Sequence, residues 1–147
     1  MSHSRIIQVS KNIVNKNDRM RSSNFDMDVI LRVVDGVDYI TDPDTSREEE
    51  LKWLKVQLDK IGFTLDGEKI TVGKDNFFID EWKDKAVEIA EEFDLCKMKE
   101  VASGVYFCAF YIYDNEIGYP MPLWAWGKRV LGNEQTYYVG GIIDYHF

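Results

Sequence analysis

The spacing of apolar residues changes along the chain, and the changes mark its elements. Residues 5–9, with Ile6, Ile7 and Val9, predict a short first strand. A polar stretch over residues 10–24 follows, carrying Lys11, Lys16, Arg19 and Arg21, and reads as a long loop. In residues 25–34, Phe25, Val29, Ile30, Val33 and Val34 recur at helical spacing, although the same run would suit a strand; a helix is expected. Asp35-Gly36 ends it, and Asp42-Pro43-Asp44 is a turn.

Ser46 and Glu49 have the spacing at which a hydroxyl and a carboxylate close a helix N-terminus reciprocally, so a helix is predicted over residues 47–61, with Gly62 ending it. Leu51, Leu54, Leu58 and Ile61 form one stripe, and Trp53 and Val56 fall near the opposite side. Either both sides are covered, or Trp53 is an exposed contact. Residues 63–65 and 69–72 flank Asp66-Gly67, which is the signature of a tight hairpin. A further helix is expected over residues 77–93, with Phe78, Trp82, Ala86, Ile89 and Phe93 on one face and Glu81, Asp84, Glu88, Glu91 and Glu92 on the other.

The last 44 residues hold 12 of the 20 aromatic residues but six charged ones, and this is where the sheet is expected. Residues 105–113 read as a central strand and 114–118 as a turn. Tyr119-Pro120-Met121-Pro122 cannot lie in the middle of a sheet, and residues 123–126 suit an edge strand after it. In residues 136–146 strict alternation puts Tyr137, Val139, Ile143, Tyr145 and the following Phe147 on one face, with Thr136, Tyr138, Asp144 and His146 on the other. Gly140-Gly141 within that run points to a bulge, or to a close approach by another group. The pattern predicts a single α+β domain over residues 1–147. Its mainly antiparallel sheet is built from the N-terminal strand, the central hairpin and the C-terminal strands, and packs against two or three helices.

Composition narrows the setting. Hydrophobic residues make up 45% and charged ones 30%, a globular balance. The chain shows neither an apolar run of about 18 residues nor a signal-peptide pattern, so no membrane span is expected. Cys96 and Cys108, with no other cysteine, suit a reducing cytoplasm. The net charge of −8 is uneven: residues 1–35 carry six Lys/Arg against four Asp/Glu, whereas residues 36–103 carry ten against eighteen. An acidic field repels phosphate and anionic membranes and attracts a basic protein.

No phosphate loop, dinucleotide fingerprint, nucleophile elbow or cysteine-based metal motif is present, so no cofactor or metal is expected. Of the two histidines, His3 is expected in a mobile end, which leaves His146. Asp144 stands two residues before it on the same strand face, where a carboxylate can orient an imidazole; the pair reads either as a solvated edge or as the acid–base group of a small hydrolase or nuclease. Lys83 and Lys85 among the helix carboxylates favour a solvated face over a cation site. In Tyr119 to Trp126 two prolines stiffen a segment with Tyr119, Met121, Trp124 and Trp126, either as core covering or as a contact surface.

The leading expectation is therefore a non-enzymatic acidic binding protein. Trp53, Tyr119, Met121, Trp124, Trp126 and the carboxylates Glu81, Asp84, Glu88 and Glu91 would engage a protein partner. An inhibitor, an immunity-type protein or a phage-encoded blocker of a basic nucleic-acid enzyme fits that charge. The alternatives are a small-molecule-binding domain, with Gly140-Gly141, Tyr138 and the two tryptophans around an aromatic pocket, and a small hydrolase using His146.

Overall fold

The strand at the start of the chain and the strand at its end lie side by side in the middle of a seven-stranded sheet. The computed structural model describes residues 3–34, 36–59, 61–73, 110–132 and 135–147. The acidic helix expected over residues 77–93, with Trp82, Glu81, Asp84, Glu88 and Glu91, lies outside the described residues, as do both cysteines.

Strand β1 (His3–Ser10) pairs in parallel with β5 (Tyr111–Asp114) and antiparallel with β7 (Thr136–His146). Beyond β5, the edge strand is β6 (Pro120–Pro122). On its other side β7 carries two neighbours end to end: β4 (Lys69–Thr71), which is paired with β3 (Thr64–Asp66), and β2 (Tyr39–Thr41). Three helices stand among the described residues: α1 (Met27–Leu31), α2 (Arg47–Asp59) and α3 (Leu123–Val130). The fold is α+β with a mostly antiparallel sheet, as the pattern predicts. No described helix is long and apolar enough to cross a membrane.

The local signals explain most elements. The Ser46 hydroxyl accepts from the Glu49 backbone N–H at 3.2 Å, and Glu48, Glu49 and Glu50 fill the first turn of α2, where the helix dipole favours negative charge. Gly67, at φ 60°, makes the β3–β4 turn. Helix α1 is shorter than the expected residues 25–34. Asp26 caps it by accepting from the Asp28 N–H at 2.9 Å, and the β-branched Val33 and Val34 fall beyond its end.

Two expectations are corrected. Residues 123–126 are not an edge strand: Pro120-Met121-Pro122 is itself the edge, where a missing N–H costs nothing, and Pro122 leads directly into α3. Leu123, Trp126 and Val130 are buried at helical spacing, and Lys128 and Arg129 sit in the last turn, where the dipole favours cations. The geometry that would put Trp124 and Trp126 on one strand face is therefore absent.

The second correction concerns β7. Ile7 pairs with Ile142 but Val9 with Val139, so β7 inserts an extra residue opposite Gln8. That bulge is the one Gly140-Gly141 suggested, and it reverses the alternation beyond it. Tyr137, Val139 and Ile142 join the core under α2 and α3, whereas Ile143 and Tyr145 join a smaller core with Ile6, Ile30 and Val37 on the other face. Tyr138 consequently does not share a face with Asp144 and His146.

Gln8 is the reason the bulge holds. Its Oε1 accepts from both Met20 N–H and Gly141 N–H at 2.8 Å, and its Nε2 donates to Asn115 Oδ1 at 3.0 Å and Asp18 O at 3.4 Å. One buried amide thus ties the residue 10–24 loop, the bulge and the β5 turn together. The carbonyls that the bulge frees at Val139 and Gly140 are taken by Arg47 Nη2 and Nη1.

Candidate functional site

Strand pairing collects polar residues at one end of the sheet. His3 lies opposite His146 and Arg5 opposite Asp144, while across β7 Tyr39 lies opposite His146 and Thr41 opposite Asp144. Directly paired residues project from the same face, so three neighbouring strands present these six side chains together. Helix α2 packs on that face and adds Glu50, with Thr45 just before the helix.

Asp144 and Glu50 are each 4% exposed, which corrects the reading of Asp144 and His146 as a solvated edge. Arg5 joins them: Nε and Nη2 reach Glu50 at 3.1 Å, and Nη1 reaches Asp144 Oδ2 at 2.9 Å. Burial alone would lower the Arg5 guanidinium, but the hydrogen bonds and charges of Glu50 and Asp144 outweigh it and hold it above its ordinary value. The Thr45 hydroxyl donates to Glu50 Oε1. Every buried charge here has a partner, the condition under which buried carboxylates are tolerated.

The histidines divide the work differently from the sequence expectation. His3 is not in a loose end; it sits in β1 with Nδ1 3.1 Å from Asp144 Oδ1. A carboxylate only accepts, so the bond to Asp144 is made by the ring form with a proton on Nδ1, and when that ring is neutral Nε2 has the lone pair. Arg5 Nη1, which carries two hydrogens, lies 2.9 Å from Asp144 Oδ2 and 3.2 Å from the same Nδ1. His146 stacks between Tyr39, with ring centres 4.2 Å apart, and His3, at 5.6 Å. Its Nε2 lies 3.1 Å from Thr41 Oγ1 and 3.6 Å from Asp144 Oδ1. His146 is thus packed and held, while the His3 side chain is 52% exposed.

A cleft of about 330 Å3 opens beside His3, walled by Arg5, Thr45, Glu49, Glu50 and Trp53. Trp53 is half-buried, with its ring edge-on to Phe110 at 5.1 Å, so it serves the core and the cleft wall together. Among the described residues, no group of three or more His, Cys, Asp and Glu side chains is arranged to hold a metal ion.

The remaining candidates are dispersed. Trp126 is fully buried, and its Nε1 donates to Asp114 Oδ2 at 3.0 Å. Met121 is buried beside it in the same core, whereas Tyr119 is 49% exposed. Trp124 stands in α3. Of the residues expected around an aromatic pocket with Gly140-Gly141 and Tyr138, Trp126 is enclosed in the core, and Gly141 lines a different cavity, beside Arg47. Sequence reasoning missed His3, Arg5, Thr41 and Glu50. A signal existed: His3-Ser4-Arg5 and Asp144-Tyr145-His146 have matching two-residue spacing, and antiparallel pairing of the terminal strands brings them together.

No family model, curated protein or solved structure matches the chain, so its function is argued from geometry.

Proposed function

We propose that the chain is a small hydrolase of the general acid–base type, with His3 as the proton-transfer group and Asp144 as its orienting carboxylate. The supporting observation is a buried carboxylate on one ring nitrogen of a half-exposed imidazole beside a cleft, whose other nitrogen has no partner among the described residues. In this scheme Nε2 takes a proton from a water molecule as that oxygen attacks an ester, and the imidazolium returns the proton to the leaving oxygen. Nδ1 keeps its proton and donates it to Asp144 throughout, and the carboxylate stabilises the imidazolium that forms. Arg5 and Glu50 position Asp144, and His146 packs the far side of the His3 ring. A reducing, cytoplasmic setting goes with Cys96 and Cys108 as thiols.

The test is turnover of p-nitrophenyl phosphate, bis(p-nitrophenyl) phosphate and p-nitrophenyl acetate by the full chain. At least one should be hydrolysed, and His3→Gln should lower kcat by about 10²-fold with little change in KM, the scale of lost proton transfer. Because His3 is half-exposed, that variant should fold normally. Turnover of none of the three, or an undiminished His3→Gln enzyme, would sink the reading.

A protein-partner role keeps one observation in its favour, the exposed Tyr119 beside β6. In that reading Tyr119→Ala abolishes capture of the partner without altering thermal stability.

A further inference from the structure

The bulge leaves a second cavity on the open side of β7, and its chemistry runs against the acidity of the chain. Strands β4 and β2 flank a gap over the middle of β7, which Arg47 fills by donating to Val139 O and Gly140 O. Arg47 Nε reaches Glu68 Oε1 at 2.9 Å, and Arg19 Nη2 reaches the same oxygen at 3.2 Å. Two guanidiniums therefore share one carboxylate oxygen. Burial pushes Arg47 below its ordinary value, and although the Glu68 hydrogen bond opposes this, the charge of Arg19 adds to it.

A cavity of about 260 Å3 lies here, lined by Lys16, Arg19, Arg21 and Arg47 together with Gly141. Its two acidic lining residues are already engaged. Asp42 Oδ1 accepts from Ser22 N–H at 2.9 Å, and Glu50 is held by Arg5 and Thr45. Lys16 and Arg21 make no ion pair with another described residue, and Arg19 Nε is the one buried side-chain donor among the described residues without an acceptor. An acceptor-rich group in the cavity would meet two unpaired cations and give Arg19 a reason to turn.

We propose that this cavity binds the phosphate group of a small phosphorylated molecule. The site goes beyond the acid–base reading and stands without it; Thr45 and Glu50 line both cavities. Phosphate fits better than a carboxylate because the basic lining comes from both the loop, with Lys16, Arg19 and Arg21, and the start of α2, with Arg47, and a tetrahedral group with several acceptor oxygens can face both sides. A small ligand fits better than a nucleic acid. The volume falls below the roughly 300 Å3 at which drug-sized pockets begin, and the net charge of −8 repels a polyanion outside the cavity.

Isothermal titration of the full chain at low ionic strength tests this, using inorganic phosphate, glycerol phosphate, acetate and a short single-stranded oligonucleotide. Saturable binding of both phosphates is expected, with acetate at least tenfold weaker. Lys16→Gln and Arg21→Gln, both at exposed positions, should each weaken phosphate about tenfold, the scale of one charge-assisted hydrogen bond, whereas His3→Gln should leave it unchanged. No saturation by phosphate, equal binding by acetate, equal binding by the Lys16 and Arg21 variants, or binding of the oligonucleotide alone would each overturn the proposal. Ester turnover plays no part in the titration, so failure of the hydrolase reading and failure of this one can be told apart.

Discussion

Trp126→Ala is expected to lower unfolding stability by about 3–5 kcal/mol, the range for deleting a fully buried large aromatic side chain. The indole lies edge-on to Phe63 at 5.9 Å and to Tyr137 at 5.3 Å, so it joins α3 to the hairpin region and to β7 at once. It also supplies one of the two donors that the Asp114 carboxylate, only 2% exposed, has among the described residues; the other is the Glu116 N–H at 3.0 Å. Alanine therefore leaves both a cavity and an under-bonded buried charge. Trp126→Phe should be milder, at about 1–3 kcal/mol, because the ring contacts are largely kept and only the donor is lost. Urea denaturation of the two variants measures the difference. An unchanged midpoint for Trp126→Ala would mean that α3 does not pack on the sheet as described.

Gly141→Ala should cost about 3 kcal/mol, the upper part of the range for forced overpacking. A Cβ there would stand 2.5 Å from Met20 N and closer still to the Met20 carbonyl oxygen, and backbone cannot swing aside as a side chain can. Relief requires the loop to lift, which breaks the hydrogen bond from Met20 N–H to Gln8. Gly36→Ala makes a useful control: at φ 82° with nothing within 4 Å of a new Cβ, it carries only the left-handed backbone cost of about 1–2 kcal/mol. Thermal unfolding should rank the two accordingly. Gly141→Ala should also weaken phosphate in the titration above, since the displaced loop carries Lys16, Arg19 and Arg21.

Sequence patterning located β1, α2, the β3–β4 hairpin and the bounds of β7, because each is specified by local spacing and by a turn or cap residue such as Ser46, Gly62 or Gly67. It misread residues 123–126 because a four-residue window cannot distinguish a strand from the first turn of a helix. The buried spacing of Leu123, Trp126 and Val130 emerges only over eight residues. It placed Ile143 and Tyr145 on the wrong face because strict alternation was carried through the bulge it had itself suggested.

The chain's local order thus determined β1, α2, the β3–β4 hairpin and β7, and that the C-terminal part would supply much of the interior. Only the tertiary structure decided what the polar residues do. His3 and Asp144 are 141 positions apart in sequence, and Arg5 and Glu50 are 45 apart. Such contacts arise from strand register and helix packing, which depend on how distant segments bury their apolar faces against each other and leave no periodic mark of their own.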